Sequence, residues 1–164
     1  THFRNIYSLW DQLIKIEVDI LSLLQKFNFT DIAIKMKPPY EKQDRTEKFY
    51  RMLLKKNYGF DFKGKLHFVD GQFYKVCDQA RLIIGQVSTA VLEAYHLDVP
   101  FYIYEPYETG ISDEMIASAK IFSPDSVART LGQLEKFIES GRASVTESKD
   151  YLLDGPSLSS VKIY

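Results

Sequence analysis

"ARLIIGQVSTAVLEAYHLDVPFYIYEP", residues 80–106, is the stretch whose reading decides the fold. A short apolar run at 82–85 meets a small polar turn, 88–97 carries helical spacing, and 101–104 is apolar again. Strand, turn, helix, strand is the repeating unit of a parallel sheet, because parallel neighbours must be joined by a long crossover. Strands of three to five nearly continuous apolar residues suit a sheet covered on both faces.

The alternation extends outward in both directions. Ile6, Leu9, Trp10, Leu13, Ile16, Ile20, Leu24 and Phe27 recur at helical spacing and predict one long amphipathic helix. "DIAIK" (31–35) reads as a strand ended by Pro38 and Pro39. Asp44 with Glu47 forms a capping-box pattern, and Phe49, Tyr50, Leu53 and Leu54 give the buried face of a second helix. "LHFVDG" (66–71) is strand then turn, and Phe73, Val76, Cys77 and Ala80 share one face of a short helix. After 104, "SDEMIASA" reads as a short helix and "KIF" as a last strand. Pro124 then opens a helix carrying Val127, Leu131, Leu134 and Ile138, stopped by Gly141. The fold class is α/β: a doubly wound, Rossmann-like parallel sheet with helices on both faces. One domain spans 1–140, and 141–164 is a tail that docks in part through Tyr151, Leu152 and Leu153.

With 164 residues, 45% hydrophobic and 26% charged, the chain has the composition of a globular domain. A formal net charge of −1 gives no global electrostatic case for nucleic acid and leaves room for a local basic mouth lined by a few lysines. The single cysteine, Cys77, excludes an internal disulfide framework and fits a reducing compartment. Histidines at 2, 67 and 96 lack metal-ligand spacing, and no paired-aspartate motif offers a metal site; His67 and His96 read as packing residues of a strand and a helix. No stretch reaches the roughly 18 apolar residues that span a bilayer. The start without Met, inside a helical pattern, suggests a domain of a longer chain.

In open α/β sheets, ligands bind outside the carboxyl ends of the strands. Four turns lie there: "KMKPPY" (35–40), "VDGQ" (69–72), "GQVST" (85–89) and "YEPYETG" (104–110). In the third, Gly85 and Gln86 lead into Ser88 and Thr89, whose hydroxyls stand where a helix opens with unpaired N–H groups. That is an anion site, most naturally for phosphate. Ser88 as a plain N-cap explains the same residue equally well. Tyr40, Tyr104 and Tyr107 flank the proposed mouth, as stacking rings or as packing.

The segment resembles the nucleotide-sugar-binding, C-terminal half of GT-B glycosyltransferases, especially bacterial capsule and surface-polysaccharide enzymes. The resemblance spans roughly residues 10–140 and is carried by the Gly85, Ser88-Thr89, Glu93 and Val99-Pro100 order. Arg81 and Asp98 stand where that family's pattern often has other residues. The resemblance implies that Ser88 and Thr89 meet the donor diphosphate and that Glu93 accepts from ribose or sugar hydroxyls. An acidic residue early in a helix is also favoured by the macrodipole alone. It further implies that Lys37, before Pro38, neutralises phosphate, although related enzymes commonly carry His-Pro there and a solvated lysine is the plain alternative. In the same resemblance Val69, Asp70 and Gly71 would border the nucleobase. Glu105 meets the donor sugar or faces solvent.

The implied function is donor binding for transfer of a sugar from a nucleotide sugar to a surface polysaccharide or other glycan. No cofactor is expected beyond the nucleotide-sugar donor, and no metal. The glycan or lipid-linked acceptor would be held by an N-terminal half outside this chain, which alone would be inactive, so no catalytic base is assigned. The full enzyme would be cytoplasmic, with peripheral association at the inner face of the membrane. Polyol-phosphate transfer, epimerisation of a UDP-sugar, and a non-catalytic α/β binding module are the alternatives.

Overall fold

Short apolar runs bounded by turn residues become strands, and the periodic stretches between them become helices. The computed structural model describes residues 2–35, 47–69, 74–77, 79–87, 90–97, 99–107 and 124–143. In chain order these form α1 (His2–Lys26), β1 (Asp31–Lys35), α2 (Glu47–Tyr58), β2 (Lys65–Val69), α3 (Tyr74–Cys77), β3 (Ile83–Gly85), α4 (Ala90–His96), β4 (Phe101–Tyr104), β5 (Val127–Ala128) and α5 (Leu131–Ser140). The class is α/β with parallel sheets. The "SDEMIASA" helix, the "KIF" strand, Asp44 of the capping box and tail residues 144–164 lie outside the described residues. The chain divides into two compact units, Thr1–Gly71 and Gln72–Tyr164. No described helix is long and apolar enough to cross a membrane.

In the first unit β1 and β2 pair in parallel, from Asp31↔Lys65 to Lys35↔Val69, with α2 in the connection between them. Burial alternates along the first four positions of both strands. Leu66, Ile32, Ile34 and Phe68 join a core with Ile14, Leu21, Tyr50, Leu54 and Phe62, while Asp31, Ala33, Lys65 and His67 are exposed. The Tyr50 ring meets Phe68 edge-on at 5.2 Å, and its hydroxyl donates to Glu17 Oε2 at 2.5 Å. Arg51 fastens the approach to β2, donating to the carbonyls of Phe62 and Gly64, both at 2.5 Å.

Two expectations change in this unit. The core stripe of α1 is Ile14 and Leu21, with half-buried Val18 against it, a set spaced at helical period but absent from the predicted face. Ile16, Leu23 and Leu24 are buried as well, so α1 carries apolar stripes on two sides and the sequence pattern tracks only one of them. On α2, Tyr50 and Leu54 are buried as expected, but Phe49 is 47% exposed. α1 ends in a Schellman motif in which Asn28 takes φ 60° and Phe29 N–H reaches the Leu24 carbonyl at 2.9 Å.

The second unit holds a three-stranded parallel sheet in the order β3-β4-β5. Central β4 is buried at all four positions. Val91 and Ala94 of α4 pack with Phe101, Ile103 and Val127 to form the core. Val127 is therefore a strand residue and not part of a helix opened at Pro124, which instead begins a single 3-10 turn over Pro124–Ser126. The helix starts later. Thr130 is its N-cap, and Gln133 closes a reciprocal capping box. Gly141, at φ 66°, ends it as the sequence suggests.

Candidate functional site

In a parallel sheet all strand carboxyl ends share one edge, so within the second unit β3, β4 and β5 deliver the 85–87 turn, Glu105 and Arg129 to the same side. Gly85 closes β3 opposite Ile103. A Cβ placed on it would lie 3.0 Å from the tip of the Phe101 ring, so the glycine has a packing reason of its own. The next two residues turn the chain toward α4.

Glu105 is the organising group of this edge. Only 2% exposed, it neither faces solvent nor sits on a loop surface, which corrects the solvent-facing alternative for its carboxylate. Its Oε1 accepts from Val87 N–H at 2.8 Å, and its Oε2 lies 3.5 Å from the Gln86 amide nitrogen. Its backbone joins β5: Glu105 N–H donates to the Ala128 carbonyl at 2.9 Å, and Arg129 Nη1 donates to the Glu105 carbonyl at 3.2 Å. One residue thus ties the ends of three strands. A buried carboxylate is costly unless hydrogen-bonded, and here the turn supplies the donor.

Gly85, Gln86 and Glu105 are accordingly brought together. Glu93 lies on α4, in the element whose Val91 and Ala94 face the core, and its Oε2 is buried. Val69 ends β2 in the first unit, half-buried opposite Lys35. Lys37, Asp70, Gly71, Ser88 and Thr89 lie outside the described residues.

Arg129 was missed at the sequence level. The signal was the Thr130-x-x-Gln133 box directly after it, since Gln133 Oε1 accepts from both Arg129 N–H at 2.8 Å and Thr130 N–H at 3.1 Å and fixes the backbone that carries the guanidinium. His67 and His96 are exposed, which corrects their reading as packing residues. His67 Nε2 lies 2.8 Å from Asp31 Oδ1 on the open face of the first sheet. At the opposite, amino end of that sheet, Thr30, Asp31, Lys63, Gly64 and Lys65 line an open groove of 290 Å³. Among the described residues no group of three or more His, Cys, Asp or Glu side chains converges as a metal site.

No protein-family model matches the chain, and no curated protein or solved structure matches it.

Proposed function

We propose that this chain is the donor-binding part of a glycosyltransferase that moves a sugar from a nucleotide sugar to a glycan acceptor, with its strands forming one doubly wound sheet as in half of a GT-B architecture. The observation that carries the reading is the 85–87 turn at the carboxyl edge of a parallel sheet, held from behind by buried Glu105. Such edges are where α/β sheets take their ligands. The Gly-x-x-Ser-Thr sequence of the turn and its resemblance to glycosyltransferase donor sites support the same assignment.

Glu105 refines the reading. Val87 N–H is already satisfied by a carboxylate, so phosphate contacts fall to the next residues, Ser88 and Thr89. That same bond favours a second reading, a non-catalytic α/β module whose turn is complete without ligand. Calorimetry separates the two. Titrated with UDP-, CDP- and GDP-linked sugars, the chain should bind one donor class. Thr89→Ala should weaken binding by roughly tenfold, as loss of a hydrogen bond to a charged group does, with little change in melting temperature. Glu93→Gln should weaken recognition of the sugar nucleotide more than that of inorganic pyrophosphate. Unchanged affinity in both variants would sink the donor-site reading, and absence of binding to all three donors would favour the module.

A further inference from the structure

We propose that the outward face of α2 is a docking surface for an anionic lipid bilayer. The helix turns Tyr50 and Leu54, each 1% exposed, into the core. At 100° per residue the opposite side carries Lys48, Phe49, Met52, Lys55 and Lys56, and all five are exposed. Phe49 and Met52 expose 47% and 55% of their surfaces, the two largest values among the exposed large hydrophobic residues described. The three lysines frame them. The acidic residue of the helix, Glu47, lies toward the edge of the core side, bound to Arg51 at 2.8 Å. Just beyond the helix, Asp61 is held below the usual carboxylate range, first by its hydrogen bond to Lys63 and then by the charges of Lys63, Lys55 and Arg51. Positive charge therefore prevails around this end of the helix.

Ammonium groups around protruding apolar side chains fit a surface that is anionic outside and apolar just beneath. Lysines gain from the negative potential of acidic headgroups, and the Phe and Met side chains gain by entering the interface. Nucleic acid would satisfy the lysines but leave Met52, which has no ring for a base to stack on, without an apolar partner. A second copy packed about a two-fold axis would set these lysines against one another. The bilayer satisfies both kinds of side chain. The inference rests on the side chains of α2; peripheral membrane association is also what the glycosyltransferase resemblance implies, and failure here would leave the nucleotide-sugar reading of the 85–87 turn untouched.

The test is co-sedimentation of the full chain with vesicles of phosphatidylglycerol in phosphatidylcholine, against phosphatidylcholine alone. Binding should require the anionic lipid and weaken with salt. Lys48→Gln, Lys55→Gln and Lys56→Gln combined should lower the partition coefficient by about 100-fold, taking roughly fivefold per lysine. Phe49→Ser with Met52→Ser should lower it by roughly tenfold, the partial transfer of two apolar side chains. Should the double serine variant unfold, Met52→Trp supplies an emission component, read as the difference from wild-type Trp10 emission, that must shift to the blue on anionic vesicles. The inference is overturned by absence of binding, by equal binding to both vesicles, or by an unshifted Met52→Trp band. It is also overturned if an oligonucleotide duplex binds as tightly and ignores the serine substitutions, or if those substitutions instead abolish self-association in sedimentation.

Discussion

The two parallel sheets among the described residues are built on different terms. In β4, Phe101, Tyr102, Ile103 and Tyr104 are all buried, so the strand has both faces covered, as central strands of parallel sheets do. In β1 and β2 burial alternates: Ile32, Ile34, Leu66 and Phe68 turn inward, and Asp31, Ala33, Lys65 and His67 turn to solvent. The difference follows from side-chain chemistry at period two. The charged and polar residues Asp31, Lys65 and His67 on one face cannot enter a core unpaired, so these strands settle with that face wet. In β4 every position is buried; in β1 none is fully buried, and Asp31 and Ala33 are exposed.

The largest expected effect measures that difference directly. Ile103→Ala, at a position with 0% exposure, should cost roughly 2–5 kcal/mol by urea unfolding, from lost transfer energy and the cavity left behind. Ile32→Ala, half-buried, should cost about half as much, because its site was partly hydrated from the start. Equal losses would mean that the two sheets share one packing environment and would break the comparison.

A second contrast concerns what holds the carboxyl edge. In the second unit a side chain does it. Glu105→Ala removes the acceptor from Val87 N–H and should cost roughly 1–3 kcal/mol, the penalty for stranding a partly buried donor. Glu105→Gln keeps an oxygen that can accept that bond, so it should recover part of the loss. Amide exchange at Val87 should be faster in the alanine variant than in the glutamine variant. Equal exchange in both would show that the carboxylate does not hold the turn.

Strands β1 to β4 were legible because apolar runs such as "FYIY" suit a covered sheet. What escaped did so for physical reasons. Val127, Leu131, Leu134 and Ile138 sit at spacings of four, three and four, so two residues of strand followed by a capped helix mimic one continuous helix. The Thr130-x-x-Gln133 box marks the true start. On α1 the stripe through Ile14, Val18 and Leu21 competed with a longer, more aromatic one, and periodicity cannot tell which stripe meets the sheet. For Glu105, a loop carboxylate next to Pro106, the local sequence allows contact with a donor sugar or with solvent equally. Its burial rests on contacts to Val87 and Arg129, 18 and 24 residues away, which the fold brings together and local sequence does not encode.

The smallest expected effect tests the buried strand through its protons. Burial pushes the Tyr102 hydroxyl above its ordinary value of 10.0. The folded chain then holds this proton more tightly than the unfolded chain does. Below pH 10 both states are protonated, and the full contribution of the group is present. As pH rises past the unfolded value, unfolding releases a proton and stability falls, with a slope approaching about 1.4 kcal/mol per pH unit until the folded hydroxyl also ionises. Tyr102→Phe removes that proton from both states, while the remaining tyrosines titrate alike in the two proteins. Urea midpoints of variant and wild type should therefore keep a constant offset from pH 7 to about 9. Above about 10 the wild type should fall faster than the variant. Parallel curves through that range would mean that the Tyr102 hydroxyl titrates as freely as a solvated phenol, and that the outer end of its side chain is not covered as the rest of β4 is.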